Sequence, residues 1–161
     1  MAQTVITASP AAGIAGTFAS GTASPHNTRS AIAAETITVG KFVVNTAGAD
    51  TCELPDAQAE AASGRGLGIA LRPASGATSY ATGEEVKIGY SGEFWVVGED
   101  TGIAIGDPVF VRGADAGTYG LGSFRSDADT ADAVQLPNAV FLGAVGTAGA
   151  LVKVWLNGPF I

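Results

Sequence analysis

One cysteine, one histidine and one methionine occur in 161 residues, and only 14% of the chain is charged. A single cysteine, Cys52, excludes an intrachain disulfide and a cysteine-based zinc site. Its expected role is that of a small buried apolar side chain. As a nucleophile it would have only His26 to serve as its base. Lysine and arginine total 8 against 15 acids, a net charge of −7. The basic residues are scattered singly, so the electrostatic footprint of a nucleic-acid binder is missing. No stretch approaches about 18 consecutive apolar residues, so no membrane-spanning helix is expected. The start, MAQTVITASP, has neither a basic region nor an apolar core, and synthesis in a bacterial cytosol is the expectation. No G-x-S-x-G, H-E-x-x-H or phosphate-loop motif occurs, and no enzyme is expected.

What the chain does have is glycine, 23 residues of it, with 47% hydrophobic residues but only 7% aromatics. Much of the apolar count is alanine. Low charge with many small residues argues against a disordered acidic tail and for a turn-rich, packed chain. The length suits one domain.

Residues 1–28 carry no charged side chain and offer little to bury beyond Val5, Ile6, Ile14 and Phe18. Ordering costs roughly 1–2 kcal/mol per residue, so this segment is expected to order against another surface, as an extended arm over residues 1–34. A single β domain is expected over 35–161. Within it, ETITVGKFVVN reads as strand, with Gly40 as a turn or bulge. LPDAQAEAASGRG is too short for a stable helix. GLGIALRP reads as a strand stopped by Pro73. Val86, Ile88 and Tyr90 alternate with Glu85, Lys87 and Gly89, and Ser91-Gly92 is a hairpin signal. EFWVV follows and is apolar on both faces, as in a strand between two layers or one covered by a partner. DPVFVR starts with Pro108, where a missing N–H is tolerated. A short strand is expected near Tyr119 to Phe124, and AVFLGAVGTAGALVKVWLNG reads as a C-terminal hairpin. Short strands with glycine-rich turns predict an all-β fold, a small antiparallel barrel or sandwich with long Gly-rich loops.

Candidate chemistry is sparse. GRGLG (64–68) is followed by a strand instead of the helix that a dinucleotide loop needs, so its glycines read as turn residues. Asp127, Asp129 and Asp132 alternate as Ca²⁺ ligands can, but the glycine and distal glutamate of a calcium loop are missing. They read as a solvated acidic loop, with no metal or cofactor expected. His26 lies in the uncharged arm with no orienting partner nearby in sequence. Trp95 and Trp155 sit on strands whose opposite face is also apolar, so at least one of them is a candidate for an interface.

The order of phrases then becomes informative. GIAGTFAS precedes NTRSAIAAETITVGKFVV; GLGIAL, YATGEEVKIGYSGEFWVV, AIGDPVFVR and AVFLGAVGTAGALVKVWL follow. From about Gly13 to Leu156 this resembles the structural cement, or capsid decoration, proteins of tailed bacteriophages, with residues 113–138 unmatched. The resemblance implies a non-enzymatic virion protein on the capsid surface, made in the host cytoplasm, that bridges major-capsid subunits. It also implies a homo-oligomer, with a trimer the first expectation and a dimer the second. Ile14, Phe18, His26 and Trp95 are the expected interface residues. A carbohydrate- or ligand-binding β-module is the rival reading; it requires an exposed aromatic platform or a polar pocket.

Overall fold

A computed structural model of the chain describes residues 13–19, 27–46, 50–57, 60, 65–114 and 117–158. His26 lies outside them, as do residues 58, 59 and 61–64 of the LPDAQAEAASGRG segment. The strands are β1 (Asn27–Ala33), β2 (Ile37–Thr38), β3 (Phe42–Asn45), β4 (Thr51–Glu53), β5 (Gly66–Ala70), β6 (Ser79–Tyr80), β7 (Glu85–Val97), β8 (Pro108–Arg112), β9 (Phe124–Arg125), β10 (Ala133–Phe141) and β11 (Leu151–Asn157). A 3-10 turn, Asp129–Ala131, precedes β10. The expected all-β fold is what forms.

The main sheet runs β1-β4-β3-β5-β7-β11-β10-β8-β9, and β1 also pairs with β7. That extra pairing closes β1, β4, β3, β5 and β7 into a small barrel. Its interior is filled by Ala31, Ala33, Val43, Cys52, Leu67, Ala70, Val86 and Ile88, with Ile37 and Tyr80 from the β2–β6 pair, and Val39 just after β2, packed with them. The remaining strands curl round a second core, and β9 returns to the end of β7, where the Glu99 amide donates to the Phe124 carbonyl at 2.8 Å. Phe94, Val96, Val111, Phe124, Phe141, Val154 and Leu156 fill this second core, together with Phe42, Val44 and Ile69 from the barrel wall. Side-chain alternation explains the division: Val43 points into the barrel while Phe42 and Val44 point out of it. Strands β3 and β5 therefore stand between two cores, which is why FVV and GLGIA are buried on both faces.

Several expectations change. Ser91-Gly92 is not a hairpin turn; β7 runs unbroken through it. A hairpin would pair the flanking segments with each other. Here residues 85–90 already pair with β1 and β5, and residues 91–97 with β11. Gly92, at φ +126°, instead lets the strand pass from one core to the other. The strand near Tyr119 shrinks to β9, because 117–122 is spent on turns. Asn27–Ala33, within the segment expected as arm, forms β1 of the barrel wall. The C-terminal hairpin forms as expected, Val140 opposite Trp155, although β10 begins earlier, at Ala133. Its register against β8 shifts between Gln135 and Val140, where Pro137 cannot donate and Asn138 takes φ +55°.

Candidate functional site

Residues 13–19 lie along the second half of β7, on the edge opposite β11. The Gly16 amide donates to the Trp95 carbonyl at 2.8 Å, the Trp95 amide to the Thr17 carbonyl at 2.9 Å, and the Ala19 amide to the Glu93 carbonyl at 2.9 Å. Phe18 bridges Phe94 in antiparallel sense. β1 then takes up the same edge, Asn27 opposite Ser91. The arm is thus an irregular segment, with one β-bridge, hydrogen-bonded to an edge that would otherwise carry unpaired N–H and C=O groups. On its far side the Gly16 carbonyl accepts from the Arg72 amide at 2.8 Å.

Small residues permit the fit. A Cβ at Gly13 would come within 2.1 Å of the Trp95 ring, and one at Gly16 within 2.3 Å of Val39 Cγ1. Gly16 also needs φ +76°. Gly40, opposite, would place a Cβ 2.9 Å from that of Ala15. Sequence reasoning named none of these three glycines as site residues. For Gly13 and Gly16 the signal was the small-residue phrase GIAG, which has no meaning until its partner surface is known.

Of the expected interface residues, Ile14 is 52% exposed and Phe18 38% exposed. Phe18 also touches the buried Phe94, ring centroids 5.3 Å apart. Trp95 is half-buried beneath Gly13, with the Lys153 ammonium 5.1 Å from its ring centroid. The structure thus brings Ile14, Phe18 and Trp95 to one edge of β7.

The acidic loop differs from expectation. Asp127 and Asp129 are not simply solvated; they close round two arginines. Arg112 is buried, and its Nε donates to Glu99 Oε1 at 2.8 Å and Oε2 at 3.0 Å, while its Nη2 reaches Glu99 and Asp129. Arg125 bonds Glu99 at 2.9 Å, Asp100 at 3.1 Å and Asp127 at 2.7 Å. The Arg125 hydrogen bond is the main reason the Asp127 carboxyl lies below its ordinary range. Hydrogen bonds that Arg112 donates to Glu99 and Asp129 hold its guanidinium firmly protonated. Asp129, Thr130 and Ala131 all take positive φ, an uncommon run for non-glycine residues. This cluster locks β9 against the end of β7. Cys52 is buried in the barrel, and desolvation pushes its thiol up to about 11.

Residues 1–157 match the family described as structural cement protein (E217 gp24/Pam3 gp6). No curated protein sequence matches the chain. Among solved structures, a chain in the capsid of Myoviridae phage XM1 is similar, with a TM-score of 0.73 and 19% identity over 99% of this chain and 98% of that one. The likeness is one of fold. The head fiber gp8.5 N base of bacteriophage phi29 gives a TM-score of 0.47 at 12% identity, over 83% of this chain and 95% of that one. With the family match running from the arm to the last strand, the chain belongs to the phage structural cement proteins, structural components of the virion.

Proposed function

We propose that this protein decorates the outside of an assembled phage capsid as a homo-oligomer and cements it by bridging neighbouring major-capsid subunits. The observation that carries the reading is the arm: an uncharged segment, held rigid by backbone hydrogen bonds to β7, that turns Ile14 and Phe18 to solvent. Isolated apolar side chains on a surface are ordinary, but here two lie within five residues of a segment that has no fold of its own. Because the backbone is already fixed, little ordering entropy remains to oppose binding. Each copy contributes weak contacts, and linked copies gain avidity without new ones. Preference for the expanded shell would stabilise that state by mass action.

The test is co-sedimentation with expanded capsids of the cognate phage. The double variant I14D/F18D is expected to lose occupancy at least tenfold while keeping the wild-type circular dichroism spectrum. Unchanged occupancy would remove the arm from the interface. A monomer in light scattering that also fails to sediment would end the cementing proposal. The carbohydrate-module reading has less support, since Trp95 and Trp155 are both half-buried and Trp95 is met by Gly13 and Lys153.

A further inference from the structure

Beside the arm, where the β2–β3 turn meets the end of β7, lies a cavity of about 210 Å³. Val39, Val97 and Phe124 give it apolar walls, Thr38 and Tyr119 its rim, and Lys41 enters it. The Lys41 ammonium donates to Ser123 Oγ at 2.6 Å and to the Tyr119 carbonyl. Ser123 spends its own proton on the carbonyls of Tyr119 and Gly120. Both partners of the ammonium are therefore neutral. No carboxylate among the described residues lies within ion-pair distance of it. The acid that acts on it most, Glu99, is already held by Arg112 and Arg125.

A partly buried charge met only by neutral acceptors is costly, and an apolar side chain would fill the place without that cost. An ammonium has three N–H donors, and two are engaged. The place left open suits one negative charge. A phosphate dianion is a poor match, because one ammonium stands there with no arginine fork beside it. The walls suit a short aliphatic stem, and the volume suits a side chain better than a larger ligand.

We propose that the Lys41 cavity is a binding site for a carboxylate on a short aliphatic stem, the chemistry of a glutamate side chain presented by a protein partner. The site does not rest on the capsid-binding reading. Burial lowers the Lys41 ammonium to about 8, with Glu99 raising it and Arg112 lowering it. Binding should therefore weaken as pH rises through that value, when the ammonium loses its proton.

The experiment follows the full-length chain, carbon-13 labelled at lysine Cε, by NMR. Butyrate is the probe, butyramide its neutral counterpart, and acetyl-Gly-Glu-Gly-amide the side-chain version. Butyrate should move the Lys41 signal saturably, with a dissociation constant on the order of a millimolar for a ligand of about six heavy atoms. It should also raise the Lys41 pKa, and leave Lys87 and Lys153 unmoved. Saturation by the peptide as well supports a side chain as the natural occupant; saturation by butyrate alone supports a free carboxylate. A K41M variant supplies the assignment, and if it misfolds the comparison of butyrate with butyramide stands without it. Equal response to both probes, equal shifts at all three lysines, or no saturable shift would overturn the proposal.

Discussion

At Gly16 the backbone takes φ +76° and a side chain would meet Val39, the Ala70 carbonyl and the Gly40 amide at 2.3–2.9 Å. Two independent penalties, strain and overlap, thus fall on one position. The G16V variant should release the arm while leaving both cores intact. Hydrogen exchange should show fast exchange at the Thr17, Ala19 and Trp95 amides, with the melting temperature lowered by only a few degrees. Continued protection of the Trp95 amide would contradict the docking. Cys52 gives a second residue-scale prediction. Its raised pKa and full burial leave almost no accessible thiolate at pH 8, so a thiol reagent should label it only at the rate of unfolding. Because the folded value exceeds the unfolded one, the thiol's contribution to stability is complete below about pH 9 and is lost as pH rises towards 11. A C52A variant should flatten that alkaline loss. The neighbours Phe94 and Trp95 show where sequence reading stops at this scale. Alternation says that they face opposite ways, but it does not say which way the core lies. Phe94 is fully buried because the second core packs over its face, whereas Trp95, on the other face, is only half-buried against Gly13 and Lys153.

Among the elements, β7 does the most, since it is the wall common to both cores and carries the arm on its free edge. Its local pattern was legible: β-branched and aromatic residues on period two, bounded by turns. Its continuity was not. Ser91-Gly92 has the composition of a tight turn, and only the pairings made by distant strands show that every edge there is taken. The ion pairs of the acidic loop were missed for the same reason. Asp127 and Asp129 are two positions apart in sequence, but Glu99 and Arg112 come from other parts of the chain. The cluster predicts an asymmetric mutational response. E99Q leaves buried Arg112 poorly compensated and should cost about 3–5 kcal/mol, whereas the double variant E99L/R112L should recover much of it. Urea denaturation of the three proteins checks this; a double variant no better than E99Q would show that the charges stabilise the fold in their own right. Asp127 adds a pH dependence. Its carboxyl lies below the ordinary 3.8 in the folded chain, so its contribution is complete above that value and fades as pH falls through the folded one. D127N should reduce the acid sensitivity of the melting temperature in that range. The side chain is largely exposed, so the effect is small and shrinks in salt.

For the whole molecule the decisive feature is that two cores share their walls. Phe42, Val44 and Ile69 belong to the second core, while Val43 and Ala70, on the same two strands, belong to the barrel. Opening the barrel would strip the lining from the other core, and the reverse holds too. Losing even one large buried side chain from such a wall costs about 2–5 kcal/mol, a large part of the roughly 5–15 kcal/mol that holds a domain folded. The lobes should therefore unfold together, in spite of being separately closed. Independent opening would also bare long strand edges, a hazard for any protein held at high local density on a shell. The chain carries a reporter in each part: Cys52 is buried in the barrel, while Trp95 and Trp155 lie on the strands of the second lobe. Thiol labelling and tryptophan fluorescence should give one urea midpoint within error, with a single slope. If Cys52 becomes reactive at lower urea than the fluorescence changes, the shared walls do not couple the two cores, and the barrel opens on its own.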